Sequence, residues 1–386
     1  MTRTQSFVLF FSIVLSLYAL INAHIFMRGW QALPAGSALR PWYTVVFWLL
    51  AVSFIAGRFI ERIAISWLST AVVWVGSFWL AAMAYLYLAV LVIDLLRLVN
   101  HFVPLFPDSI TRNVEQAKQI TALIVVGVVS LAIALGHLNA RSPRIRMLDF
   151  TIRKKSQLKE LRIVAVTDIH LGTLVCRNFF NEIVDQVNEL DPDVVLLPGD
   201  IVDEDLAPVM RQNLGESLRR IKSKNGVYAV TGNHEYIGGA EAACRYLTDH
   251  GVVMLRDSVA TVAGGLVLVG REDLSSARFN GRTRKPLGEV MAGVDRSQPI
   301  LLMDHQPAVL EDGVRQGVDV QISGHTHHGQ LWPFNYLSQA IFEVSWGYKQ
   351  KGKTHVYVSC GVGTWGPPVR TGNRPEIVHM TLRFSD

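Results

Sequence analysis

The order of apolar and polar residues divides the chain in two. From Thr4 to Ala140 long uncharged runs dominate, and from Arg141 onward charged and apolar residues alternate at short range. Four runs in the first part approach or exceed the roughly 20 apolar residues that a bilayer-crossing helix needs. They are TQSFVLFFSIVLSLYALINAHIFM between Arg3 and Arg28, the shorter PWYTVVFWLLAVSFIAG between Arg40 and Arg58, TAVVWVGSFWLAAMAYLYLAVLVI before Asp94, and QITALIVVGVVSLAIALGHLNA between Lys118 and Arg141. The first is too long for a signal peptide and three more spans follow it, so it is expected to stay in the chain. The pattern predicts an all-α bundle of four transmembrane helices over 1–140, a basic juxtamembrane linker over 141–159, and a second domain over 160–386.

The second domain reads differently. Short β-rich runs recur, and five of them stop at similar residues. LRIVAVTDIH closes on Asp168 and His170, DPDVVLLPGD on Asp200, and NGVYAVTGNHE on Asn233, His234 and Glu235. QPILLMDHQP closes on His305, and GVDVQISGHTHHG on His325 and His327. CRNFFNEIVDQVNEL and LAPVMRQNLGESLRRIKS between them carry apolar residues at helix spacing, and GGLVLVG and THVYVSC read as further strands. Strands interleaved with helices indicate an α/β layered fold, in which ligands collect at the carboxyl ends of strands.

Charge then sets orientation. One side of the spans carries Arg3, Arg58, Arg62 and the cluster Arg141, Arg144, Arg146, Arg153, Lys154, Lys155 and Lys159; the other carries Arg28, Arg40, Arg97, Arg112 and Lys118. An even number of spans puts both termini on the richer side, which the positive-inside rule makes cytoplasmic. The expectation is a multi-pass protein of the cell (inner) membrane with its second domain in the cytoplasm. The cluster is expected against anionic lipid headgroups, at roughly 1 kcal/mol per basic residue. That accounts for much of the net charge of +5 without nucleic acid, for which no aromatic-interleaved basic platform exists. Asp94 and Arg97, three apart, are expected to pair on one helix face, and His24 and His137 to sit at the membrane interface. The three cysteines are odd in number and far apart, which excludes a disulfide framework and a thiolate zinc site.

Asp168, His170, Asp200, Asn233, His305, His325 and His327 together offer two carboxylates, one amide and four imidazoles. One ion uses four to six ligands, so seven point to two ions. Oxygen mixed with imidazole suits Mn²⁺, Fe²⁺ or Zn²⁺ better than Ca²⁺. Two ions about 3.5–4 Å apart need a bridging carboxylate and suit phosphoryl chemistry. Gly199, Gly232 and Gly324 each precede a ligand, where the chain must turn sharply out of a strand. His325 and His327 alternate by two, so an extended backbone would aim both to the same side. A lone D-x-H or G-N-H-E is more often a turn or a cap than a ligand site; five such signals in order, each closing an apolar strand, are not.

DIH, GD, GNHE, the single His305 and GHTH resemble, in order and spacing, the five blocks of the calcineurin-like metallophosphoesterases, over roughly residues 160 to 385. GHTHHGQLWP and LPGDIVDE resemble the bacterial membrane-associated YaeI/YkuE-type branch. The resemblance implies a four-layer α-β-β-α sandwich and two divalent ions per chain, Mn²⁺ first, with Fe²⁺, Zn²⁺ or Mg²⁺ as alternatives. Asp168, His170 and His327 would hold one, Asn233, His305 and His325 the other, and Asp200 would bridge them. His234 would contact the scissile phosphate and assist the leaving oxygen, oriented by Glu235, while a metal-bridging hydroxide attacks phosphorus in line. The implied substrate is a phosphodiester or pyrophosphate, lipid-linked or nucleotide, as in members that cleave UDP-2,3-diacylglucosamine. The membrane half lies outside this resemblance.

The remaining polar candidates have plainer readings. His328 stands where this branch often has glycine and is expected to face solvent. Asp203, Glu204 and Asp205 read as a solvated acidic turn, Glu272 and Asp273 as a pocket rim, His355 and His379 as packed residues, and Cys176 as uninvolved. The competing function is a membrane sensor or scaffold whose second domain binds a ligand without turnover. It predicts eroded ligand positions, whereas all seven are filled.

Overall fold

A computed structural model describes residues 3–385; Met1, Thr2 and Asp386 lie outside it. The chain divides into two units at Leu135–Gly136.

The first unit contains α1 (Arg3–Ala32), α2 (Leu39–Ile63), α3 (Trp67–Phe102), the short α4 (Asp108–Arg112) and most of α5 (Val114–Ala140). All but α4 are long and apolar enough to cross a membrane. A capping box between Ser66 and Ser69 starts α3, satisfying amides that would otherwise be orphaned. Small residues let α2 and α3 approach closely: a Cβ on Gly76 would lie 2.4 Å from Phe54 Cα. Ile25, Phe47, Ala51, Trp79 and Met83 form the buried centre, with Trp79 Nε1 donating to Asn22 Oδ1 at 3.0 Å. The expected Asp94–Arg97 pair does not form. Asp94 faces α1, where Arg28 donates from Nη2 and Nε at 2.9 and 3.1 Å and His24 Nε2 lies 3.0 Å away. Two guanidinium donors on one carboxylate outcompete a neighbour on the same helix.

Among the described residues the second unit is built from twelve strands. They are β1 (Arg144–Ile152), β2 (Glu160–Ala165), β3 (Val194–Pro198), β4 (Val227–Val230), β5 (Val252–Met254), β6 (Ser258–Thr261), β7 (Val267–Gly270), β8 (Ile300–Met303), β9 (Val320–Ser323), β10 (Gly347–Lys351), β11 (Thr354–Val358) and β12 (Glu376–Phe384). They form two six-stranded sheets, in the orders β1-β12-β2-β3-β4-β5 and β10-β11-β9-β8-β7-β6. Alternation along β3 explains the layering: Val194 and Leu196 enter the core shared with Leu268, Leu301 and Ile322 of the other sheet, while Val195 and Leu197 face Phe180, Ile183 and Val187 of α6 (Arg177–Glu189). Leu287, Val290 and Met291 cover the outer face of β7 and β8. The mixed α/β sheets and the four apolar helices before them are as the sequence predicts.

One boundary moves. Residues 144–152, expected in a basic linker, are the edge strand β1, paired in parallel with β12. Its apolar alternation is confined to Leu148, Phe150 and Ile152, and the arginines at 144 and 146 obscure it. Several basic residues of the cluster serve packing: Arg141 lies 4.9 Å over Phe179, Arg144 5.0 Å over Trp346, and Lys154 Nζ 2.7 Å from Asp319 Oδ2. His355 stacks on Phe150 at 4.7 Å and His379 is buried, both packed as read.

Candidate metal centre

β2, β3, β4, β8 and β9 each run out at their carboxyl ends into a segment that carries one or more of the candidate residues. The backbone turns out of these strands through the left-handed region: φ is 52° at Asp168, 54° at His170, 50° at Asp200, 72° at His325 and 44° at His327. Such conformations cost about 1–3 kcal/mol each in non-glycine residues and persist only where surroundings over-determine them. Their concentration here marks a functional site. It also corrects the extended reading of His325 and His327, because the chain coils at both and His327 opens a single tight turn to Gly329. Gly199 supplies a positive φ of 88°. Gly232 and Gly324 supply room instead: a Cβ there would lie 2.2 Å from Asp200 Oδ1 and 2.3 Å from Asp168 Oδ2.

Among the described residues the potential ligating atoms gather in three groups, of which His170, Asp203 and His234 form one that shares His170, and the other two hold the residues that the sequence marks. Asp168, His170 and His327 form one, with the Nε2 atoms of the two histidines 3.0 Å apart; Asp200, His305 and His325 form the other. Asn233 joins the second through Oδ1, 2.7 Å from His325 Nδ1 and 3.3 Å from His305 Nε2. Asp200 Oδ2 stands between the groups, 3.1 Å from His305 Nε2 and 3.9 Å from His170 Nε2. The surroundings hold one oxygen of each carboxylate and leave the other. The amide of His234 donates to Asp200 Oδ1 at 2.9 Å and that of His325 to Asp168 Oδ1 at 2.7 Å. Asp168 Oδ2 is buried and has no hydrogen-bond partner, a costly state that a cation would relieve. His305 Nδ1 donates to the Pro198 carbonyl at 2.9 Å, which turns Nε2 to the site. This donor set fits divalent metal.

Electrostatics agree. Burial opposes ionisation of Asp200, but His305 and His234 hold its carboxyl well below the usual range. Burial, then His170 and Arg370, push His327 well below an ordinary histidine, keeping it a neutral ligand. Burial would lower His234 too, yet Asp200 and Asp203 raise it to about 9.

Four side chains sit otherwise than the sequence indicates. Asp203 is not part of a solvated turn: its side chain is 13% exposed, with Oδ1 3.1 Å from His234 Nδ1 and 3.6 Å from His170 Nδ1. Glu235 does not orient His234; its carboxylate accepts from the amides of Asp200, Ile201, Val202 and Gly232 at 2.7–3.1 Å, bracing the Asp200 loop. His328 is buried rather than solvent-facing, with Nδ1 2.9 Å from Ser345 Oγ. Asp273 is buried rather than on a rim and accepts from Gln306 Nε2 at 2.9 Å, while Glu272 accepts from Thr231 at 2.6 Å. Three residues carried no signal in a single sequence. Arg370, wholly buried, places Nη2 3.1 Å from His327 Nδ1, and Asn373 donates to the His327 carbonyl. Trp365, 56% exposed, packs edge-on to His234 at 6.2 Å.

Residues 161–329 match the model of the calcineurin-like phosphoesterase family. An Aquifex aeolicus uncharacterized metallophosphoesterase is 32% identical over 260 residues, 66% of this chain and 98% of that one. A Danio rerio transmembrane protein with metallophosphoesterase domain is 31% identical over 331 residues, 79% of this chain and 74% of that one. An uncharacterized metallophosphoesterase of Helicobacter pylori strain J99 is 36% identical over 226 residues, 58% of this chain, which thus spans only 60% of that relative's length. Among solved structures, the NAD nucleotidase of Haemophilus influenzae superposes with a TM-score of 0.37 at 16% identity, over 53% of this chain and 46% of that one.

Proposed function

Because the chain belongs to the calcineurin-like phosphoesterase family, we propose that it is a membrane-anchored, dinuclear metal-dependent hydrolase of phosphate esters. The observation that carries this reading is Asp200 Oδ2, 3.1 Å from His305 Nε2 of one group and 3.9 Å from His170 Nε2 of the other, a position from which one carboxylate oxygen would serve both. Asp168, His170 and His327 would hold one ion, Asn233, His305 and His325 the other, and Asp200 both, with Mn²⁺ first and Fe²⁺, Zn²⁺ or Mg²⁺ as alternatives. Such a pair, when bound, supplies Lewis acidity to the phosphoryl oxygens and acidifies water.

The chain's own residues do the rest. His234, beside the Asp200 loop and facing Asp203, would donate a proton to the departing ester oxygen. Asp203 lies against its Nδ1, leaving Nε2 for substrate. Trp365 offers an exposed ring beside His234 on which an apolar or planar part of the substrate can rest. The four apolar helices favour a phosphodiester or pyrophosphate that is lipid-linked or held near the membrane. The basic bias of one side supports a cytoplasmic catalytic unit. A binding module without turnover is disfavoured because every ligand position is filled.

The test uses full-length protein in detergent, stripped with EDTA and reloaded. Two ions per chain by elemental analysis, and Mn²⁺-restored hydrolysis of bis-p-nitrophenyl phosphate that Asp200→Asn abolishes, are expected. No hydrolysis of this diester or of p-nitrophenyl phosphate with Mn²⁺, Fe²⁺, Zn²⁺ or Mg²⁺ would sink the reading.

A further inference from the structure

Within the first unit, α1, α2 and α3 pack on one another, but α5 does not join them to a comparable degree. A groove of about 1600 Å³ lies between α5 and the other three. That exceeds the about 300–1,000 Å³ of ordinary small-molecule pockets. Its walls are apolar: Val46 and Leu50 of α2, Phe78 and Leu86 of α3, Val125 and Val129 of α5. On α3 the lining runs from Val75 to Asn100, about 38 Å at 1.5 Å per residue, which matches a bilayer rather than a water-filled cleft.

The two ends of the groove differ. No charged residue lines the end near Val75 and Ile133, whereas Arg28, Arg97 and Lys118 line the other, with Asp94 the one lining carboxylate. Asp94 is taken by Arg28, and Lys118 pairs with Glu115 at 2.9 Å. Arg97 makes no hydrogen bond or ion pair among the described residues and is exposed. A cation without a counter-charge at the mouth of an apolar groove of this length is complementary to a molecule with one anionic head and long hydrocarbon chains.

We propose that this groove is a binding site for an anionic diacyl lipid, with its headgroup phosphate on Arg97 and its chains along α3 and α5. The site is independent of the metal centre. It needs no turnover and survives any failure of the catalytic reading. Small residues such as Ala82 and Ala122 on its walls leave the width that acyl chains take up.

The experiment extracts the full chain from vesicles of phosphatidylcholine and phosphatidylglycerol in equal parts and counts retained lipids by native mass spectrometry. One phosphatidylglycerol per chain is expected to be kept in preference to phosphatidylcholine. Arg97→Gln, an exposed change that leaves the fold intact, should lower that retention about five- to tenfold, the effect of one basic residue at an anionic surface. Ala82→Trp should exclude both lipids by filling the groove. Equal retention of the two lipids, or retention untouched by Arg97→Gln, overturns the proposal. So does a dimer mass with no lipid, which would mean that a second copy fills the groove.

Discussion

At the scale of single residues, the site is defined by where each polar atom is held and which one is left. His234 and Asp203 illustrate this, because their contact separates a proton-donating role from a ligating one. His234→Ala is expected to lower kcat by about 10²–10⁴-fold while metal per chain stays unchanged; a parallel loss of metal would make His234 a ligand instead. Asp203→Asn keeps the shape and removes the charge facing His234 Nδ1, so a kcat loss of about tenfold or more, rescued in part by Asp203→Glu, is expected. The seven proposed ligand positions stand out in the chain because each is a polar residue closing an apolar strand, a juxtaposition that burial alone does not favour. Asp203 could not, since it follows Asp200 within a run of carboxylates that reads as a solvated turn. Gly324 shows a third kind of constraint. A Cβ there meets Asp168 Oδ2 at 2.3 Å, so Gly324→Ala should lower stability by about 1–3 kcal/mol and weaken metal binding, both measurable by thermal unfolding with and without Mn²⁺.

At the scale of elements, the last turn of α5 is joined to the loop that grips His327. Gly136 accepts from the Arg370 amide at 2.9 Å, His137 Nδ1 donates to the Pro368 carbonyl at 2.7 Å, and Asn139 Nδ2 donates to the carbonyls of Arg370 and Asn373 at 2.8 Å. Arg370 then packs against the His327 ring, and Asn373 donates to the His327 carbonyl. The end of an apolar helix thus helps to fix the loop beside His327. Arg370→Lys loses the planar fork and should reduce metal affinity at the Asp168–His170–His327 group by about 10–100-fold. Asn139→Ala should act in the same direction more weakly. Metal titration resolves the two groups, and unchanged affinity at both would remove this support role. None of this was legible beforehand, because β1 hides behind arginines and the left-handed turns at Asp168, His170 and Asp200 have no compositional marker in non-glycine residues. The strands were legible, since β3 and β9 are continuous apolar runs buried on both faces.

At the scale of the whole molecule, the basic residues after α5 serve two ends. Arg141, Arg144 and Lys154 are engaged in packing or ion pairs, whereas Arg146, Arg153, Lys155 and Lys159 stay exposed. The connection from α3 to α5 has fewer uncommitted cations, since Arg112 pairs with Asp108 and Lys118 with Glu115. Orientation follows the Lys and Arg bias rather than net charge, so the catalytic unit is expected on the cytoplasmic side even after the packed residues are set aside. Arg282 lies in an exposed stretch of that unit and gives trypsin a point of attack. Cleavage there should occur in sealed inverted vesicles and not in intact cells, with cleavage in both after permeabilisation. Cutting in intact cells alone would reverse the orientation. The metal centre would keep its chemistry in that case, because its ligands all lie within one unit.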